Sequence, residues 1–426
     1  MIKKSCFIVI LITSGIFFSS LQAEKKITFS EYNLQNVQPK LGNIMFYRKG
    51  VEQSFPAISI ESGHSLILNF DILEPQSYDL FYSIEQYDAT WSKTNPLTDE
   101  FLNGFNNQPI QDYKPSLNTT YDYINYQVQI PSNDLEILQT GNYKVTVYLD
   151  SELTKPLFSR KFVVYSYDAK ILAEGDGYQN IEGNEVQKVN VDIDLSLLSV
   201  SDPQYEIKVA YLVNQDWNTW KMDNKFRIES TTEISFENNN ALSFYGGIEY
   251  RYFDNMSLKV TSERTEYINF EPPYYHFYLY PDKLRTYGPY QYREDFNGQF
   301  VLANDDLWDD KFIEADYTWV HFKLKVDQPL LSRLYVYGAL THWQFTDENE
   351  LMYLPDEQDY TCKLLLKQGQ YDYRYVMKDF DSNEVDWSLL EGSHAITENQ
   401  VYIFVYYLDY DSDFERLAGF EIVGTK

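Results

Sequence analysis

Strict alternation of apolar and polar residues is the feature that most limits what this 426-residue chain can become. In YKVTVYL, Tyr143, Val145, Val147 and Leu149 point one way, and Lys144, Thr146 and Tyr148 the other. In YEIKVAYLV, Tyr205, Ile207, Val209, Tyr211 and Val213 oppose Glu206 and Lys208. In WVHFKLKV, Val320, Phe322, Leu324 and Val326 oppose Trp319, His321, Lys323 and Lys325. A period of two marks a half-buried strand, because successive side chains leave opposite faces of the pleat. Val, Ile, Tyr and Phe fill these runs, as such strands prefer. Ser62-Gly63, Thr140-Gly141-Asn142 and Gln368-Gly369 supply turns between them. No long segment carries a helical period, and NDLEILQ (133–139) has room for a helical turn or two. Many short strands and few helices imply an all-β chain of antiparallel sandwiches.

Three consecutive sandwich domains are expected behind a leader. Lys3 and Lys4 precede an apolar run that ends near Phe18, and Leu21-Gln22-Ala23 fits a small-residue cleavage site. Residues 1–23 therefore read as a signal peptide, and the protein as exported. The run is shorter than the ~20 residues a membrane-spanning helix needs. The first domain is expected over 24–167, the second over 168–305 and the third over 306–426. The last has about seven strand candidates, which suits a single sandwich.

Composition narrows the function. A formal net charge of −29 repels nucleic acid and anionic membrane surfaces. The same charge suggests disorder, but 44% hydrophobic and 17% aromatic residues supply packed cores. Cys6 leaves with the leader and Cys362 remains alone, so no disulfide forms. Inside TCKLLLK it reads as a small buried hydrophobe.

The chain carries no G-x-S-x-G, H-E-x-x-H, Walker A or G-x-G-x-x-G motif. His64, His276, His321, His342 and His394 lie scattered, without zinc-ligand spacing. Two acidic clusters stand out: Asp305, Asp306, Asp309 and Asp310, and Asp409, Asp411, Asp413 and Glu415. The second opens like a calcium loop but lacks its glycine, and its terminal acid comes too early. Catalytic residues, cofactor and metal are accordingly all expected to be none. NQDWNTWKMDNKF (214–226) reads as a loop in which Trp217 and Trp220 form an aromatic platform or staple the loop to its sandwich.

Two resemblances add to this reading. YVYGALTHWQF (335–345), LKQGQYDYRYVMKD (366–379) and DWSLLEGSHAITENQVYIFVYY (386–407) resemble the early-set, glycogen-binding-like sandwich, an immunoglobulin-like fold. That resemblance implies sugar-facing places at Trp343 and Trp387, an accompanying Asn399, and a basic residue at Lys363 or Lys367. The ordered set MFYRKGVEQSFPAISIESGHSLILNFDIL (45–73), YDLFYSIEQYDATW (78–91), EFLNGFNNQPIQDYKPSLNTTYDYINYQVQIP (100–131) and TGNYKVTVY (140–148) resembles the plug protein of the type IX secretion system. GNEVQKVNVDI, EYRYFDNMSLKV (249–260) and the three pieces of the last block continue it. Gln86-Tyr87-Asp88 departs from the family, which commonly has His-Cys-Asp there.

The second resemblance implies a periplasmic protein that is not an enzyme. Such a protein binds the periplasmic mouth of a large outer-membrane β-barrel translocon and occludes it. The loop 102–119 is our first choice for the contact surface, with Phe101, Phe105, Asn106, Asn107, Gln108, Asp112 and Tyr113 as contact residues. The alternative is an exported glycan-binding protein that uses Trp343, Trp387 and Asn399.

Overall fold

A computed structural model describes residues 38–425 apart from 95, 182–183, 238–240, 287, 307–309, 383 and 410–413. The expected leader (1–23), Asp309, Asp411 and Asp413 lie outside the described residues, as does the side chain of Asp409. The described residues are 53% strand and 4% helix, so the all-β reading holds. No helix among the described residues is long and apolar enough to cross a membrane.

The first sandwich uses local segments. One sheet joins Leu41–Arg48, Leu66–Ile72, Ile124–Ile130 and Asp112–Pro115, and the other joins Ala57–Ser59, Pro156–Tyr165, Gly141–Tyr148, Leu80–Tyr87 and Gln108–Ile110. Tyr143, Val145 and Val147 fill the space between them with Phe70, Tyr126 and Phe162. The expected face of this strand is the buried one. NDLEILQ differs: Leu135–Ile137 is a strand paired with Leu102–Gly104. Alternate burial of Leu135 and Ile137 around Glu136 is a strand pattern that a helical turn would not keep on one side.

The middle sandwich departs from the expected boundaries. One of its sheets is local, built on Lys170–Ile181, Asn184–Asp194, Glu233–Phe236 and Arg227–Ser230. The other places Asp216–Met222 and Ile207–Val213 beside Gln400–Asp409 and Phe414–Gly424. Residues expected in the 306–426 block thus complete the middle sandwich, with Val209 opposite Val405 and Tyr211 opposite Ile403. The physical reason is two-sided burial. Val401 through Tyr407 are buried at every position, so this strand needs cover on both faces. One face meets the middle core through Val401, Ile403 and Val405. The other meets the first sandwich, where Tyr402, Phe404 and Tyr406 join Phe55, Ala57 and Val163.

The last lobe is correspondingly longer at its start. Eleven strands surround its core, beginning at Arg251–Asp254 and ending at Val385–Asp386. It therefore takes residues expected in the 168–305 block, and it is inserted between two parts of the middle sandwich. Val320, Phe322, Leu324 and Val326 fill its core as their alternation requires. Not every pairing is antiparallel: Pro156–Tyr165 runs parallel to Ala57–Ser59, and Tyr317–Lys325 parallel to Tyr274–Leu279.

Buried polar contacts join these parts. Asp71 of the first sandwich meets Lys367 of the last lobe at 2.6 Å, both fully buried. Asp71 also accepts from Tyr317 Oη at 2.6 Å and Asn125 Nδ2 at 2.7 Å. Asp316 accepts from the Thr120 amide and hydroxyl at 2.6 and 2.7 Å. On the middle side, Tyr337 Oη donates to Asp216 at 2.8 Å.

Candidate partner-binding site

The segment expected to be a contact loop is largely built into the first sandwich. Thr98–Phe101 is a single helical turn, and Leu102–Gly104, Gln108–Ile110 and Asp112–Pro115 are short strands. The last two pair with opposite sheets, so the chain crosses the sandwich edge here. Phe101 is buried and stacks on Tyr143 at 6.2 Å.

Asn106 performs the task of a missing strand. Its Oδ1 accepts from the Ile84 amide and its Nδ2 donates to the Ile84 carbonyl, both at 2.7 Å. Asn107 Nδ2 donates to the Ser151 carbonyl at 2.6 Å, and Gln108 Nε2 to the Phe105 carbonyl at 2.7 Å. Asn106 thus satisfies backbone groups at a sheet edge that would otherwise invite another strand, while Asn107 and Gln108 hold the loop itself. Asp112 is exposed, its carboxylate 3.4 Å from Gln127 Nε2. Tyr113 is half exposed and rests on Tyr126, with ring centroids 5.5 Å apart. Phe105 stands apart: 85% of it faces solvent, on a turn whose neighbours are pinned on both sides.

The aromatic candidates hold the protein together instead of forming a platform. Trp217 and Trp220 lie on the strand Asp216–Met222, not in a loop. They pack with Phe55, Trp91 and Phe404 where the first and middle sandwiches meet. Trp343 is 9% exposed and Trp387 is half-buried. The two flank Tyr337, at 5.4 and 5.2 Å from its ring, so the structure does bring them together, but around a core tyrosine. Gly298 admits the Trp343 indole: a Cβ there would stand 2.4 Å from its Cη2.

Asn399 offers no free amide to a sugar beside this pair. It is buried in the middle sandwich, donating to Gln187 Oε1 at 2.9 Å and the Gly246 carbonyl at 2.7 Å and accepting from Asn214 at 2.6 Å. Every polar atom of its amide is used inside the protein. Lys367 is likewise committed to Asp71, and Lys363 lies 4.9 Å from the centre of the Trp319 ring. The sugar-site arrangement is therefore not assembled from these residues.

Within Gln86-Tyr87-Asp88, Gln86 is buried and the other two are half-buried. Asp88 Oδ1 caps the turn by accepting from the Thr90 and Ser92 amides at 2.9 Å each. The Ala89 amide donates to Glu415 Oε2 of the middle sandwich at 2.9 Å. Glu415, one of the acidic cluster, is thus a lobe contact. Burial pushes the Cys362 thiol up to about 12, so it stays protonated at neutral pH.

One pairing escaped the sequence. His276 Nδ1 and His321 Nε2 lie 2.9 Å apart on adjacent parallel strands, and Tyr278 stacks on His321 at 4.1 Å. Burial, then His276 and Lys363, lowers His321 to about 4. Only knowledge of the strand register would have found this pair, since 45 residues separate them. Among the described residues no three His, Cys, Asp or Glu side chains group as a metal site.

Fold and site together define an all-β protein of interlocked sandwiches whose aromatic residues join lobe to lobe. Residues 41–166 match the family model of the type 9 secretion system plug protein 1st domain. The match covers the first sandwich. A crystal structure of a hypothetical protein from Parabacteroides merdae is similar over much more of the chain. It has a TM-score of 0.86 and 28% identity, and the alignment covers 90% of this chain and 97% of that one. No curated protein matches the chain.

Proposed function

We propose that this protein serves type IX secretion as a periplasmic plug, binding the inner mouth of an outer-membrane β-barrel translocon and occluding it. The family match over residues 41–166 carries the reading. A wide pore leaks unless something rigid fills it. The interlocked lobes suit that task, because a surface that is already ordered loses little entropy on binding. Phe105 supports the choice of face. An exposed aromatic on a pinned turn is the kind of residue that dominates contact energy once buried. The rings at Trp343 and Trp387, by contrast, are needed inside the fold, and no observation favours the glycan-binding alternative there.

The test is recovery of partners from solubilised outer membranes by the tagged, full-length protein. A large β-barrel protein should co-purify, and Phe105→Ala should reduce its recovery about tenfold or more, as expected for a central contact residue. The variant's thermal unfolding should match the parent's, since Phe105 touches little. Absence of any barrel under conditions that keep other secretion complexes intact would overturn the reading.

A further inference from the structure

A cavity of about 120 Å³ sits where the first sandwich, the middle sandwich and the last lobe meet. Arg160 and Lys161 reach it from the strand Pro156–Tyr165, Trp217 from the middle sandwich, and Gln299, His342 and Trp343 from the last lobe. Two hydrogen-bond donors on its wall are unmatched. Arg160 Nη2 and Gln299 Nε2 are buried atoms with no partner among the described residues, while Arg160 Nη1 donates to the Ser159 carbonyl at 3.0 Å.

Among the described residues no carboxylate pairs with the charge there, which rests on aromatic faces alone: Arg160 lies 5.4 Å from the centre of the Phe158 ring, and Lys161 lies 4.4 and 5.3 Å from those of Trp91 and Trp217. Burial alone lowers the Arg160 guanidinium to about 10. Burial, then Lys144, lowers Lys161 to about 8. Burial, then Arg160, holds His342 well below its ordinary value. Among the described residues of the wall the acid is Glu52, and Lys311 holds it at 2.6 Å. Elsewhere the protein pairs its buried cations with carboxylates: Lys367 with Asp71, and Arg251 with both Glu391 and Asp282. A chain with 64 acidic residues against 35 Lys and Arg has ample means to do so here. Desolvated cations are unfavourable until an anion joins them.

We infer that this junction is a binding site for a small oxyanion, a carboxylate, phosphate or sulfate group, held by Arg160 and Gln299 with Lys161 adding charge. A guanidinium fork matches the oxygens of such a group. A larger cleft of about 1100 Å³ between the first sandwich and the last lobe shares Ile44, Arg160 and His342 with the cavity, which gives the ion a way in from solvent. Because Arg160 and Gln299 belong to different lobes, the bound ion tethers one to the other.

The experiment is titration of the full-length protein with phosphate, sulfate and acetate, against chloride at matched ionic strength. Tryptophan fluorescence reports on the cavity through Trp217 and Trp343, and thermal unfolding reports on stability. At least one oxyanion should give a saturable fluorescence change and a saturable rise in Tm. Arg160→Met should weaken that binding about tenfold or more, the usual effect of losing a hydrogen bond to a charged group. Gln299→Met should weaken it several-fold, and Lys155→Met, outside the cavity, should leave it unchanged. Preference for phosphate or sulfate over acetate assigns a tetrahedral ion, and the reverse assigns a carboxylate. If Arg160→Met does not fold, as judged by circular dichroism, Gln299→Met decides. No saturable response beyond chloride, which would mean water alone fills the cavity, overturns the site, as does unchanged affinity in the decisive variant. Neither result bears on recovery of the barrel.

Discussion

Replacing Lys367 by methionine should loosen the first sandwich from the last lobe. The Lys367 ammonium touches Asp71 Oδ2 and the Phe312 carbonyl, each at 2.6 Å, and lies 4.2 Å from the centre of the Tyr123 ring. Methionine fills similar space but leaves the Asp71 carboxylate buried without a counter-charge. Tyr317 and Asn125 still donate to it, which offsets part of the loss. Removing one partner of a buried pair destabilises by about 3–5 kcal/mol. With two donors remaining we expect the lower end, about 3 kcal/mol. Asp71→Asn combined with Lys367→Met removes both charges together, and buried pairs replaced in this way are often neutral. The double variant should therefore recover at least half of the loss. Urea unfolding at pH 7, followed by fluorescence and by circular dichroism, measures both. The two probes also test whether the lobes still unfold together. A single variant with the parent's midpoint, or a double variant at least as unstable as the single one, would refute the reasoning.

Two further perturbations probe the surroundings of Trp343. Gly298→Ala should destabilise by about 2–3 kcal/mol, because it combines overpacking with a backbone conformation that side chains disfavour; the Cβ would collide with Trp343 and Tyr250 at a φ of +80°. A urea midpoint equal to the parent's counts against that packing. Burial, then Asp295, pushes Asp372 up to about 7, against about 3.9 in an unfolded chain. The folded state thus binds the extra proton between about pH 4 and 7, so this group's contribution to stability falls as pH rises through that window. Asp372→Asn should flatten the fall and be more stable than the parent at pH 8 by about 1–3 kcal/mol. Equal slopes for the two proteins between pH 5 and 8 would dismiss the effect.

Strands with one wet and one dry face were readable from residue order. Tyr143, Val145 and Val147, and Val320, Phe322 and Leu324, all turn inward as their spacing requires. Reading failed where burial is two-sided or where the partner is remote. QVYIFVYY lies in sequence within the 306–426 block, whereas one of its two strand partners lies at 207–213. Trp217 and Trp220 sit among polar residues like a loop, yet the rings of Phe55 and Trp91 hold them in a strand. Asn106 and Asn399 illustrate the same limit for the site. Both have the composition of contact residues, and both have their amides taken by backbone or buried groups that no local pattern reveals. The likeness of residues 41–166 to the plug-protein first domain is legible because an ordered series of whole segments points to a family better than any one residue does.

The insertion of the last lobe into the middle sandwich sets an order of assembly. The first sandwich has all its strands by Tyr165 and can close while the rest of the chain is still being delivered. The middle one cannot. Ile207–Val213 waits for a partner about 200 residues downstream, and closing so large a loop is far easier once the intervening segment has folded and drawn its ends together. Until Gln400–Asp409 arrives, both sides of the gap present apolar strand surface: Ala210 and Leu212 on one face, Val209 and Tyr211 on the other. The final 25 or so residues therefore act as the closing stitch for two interfaces at once. Lesions there would leave the first sandwich intact and strip it of its neighbour.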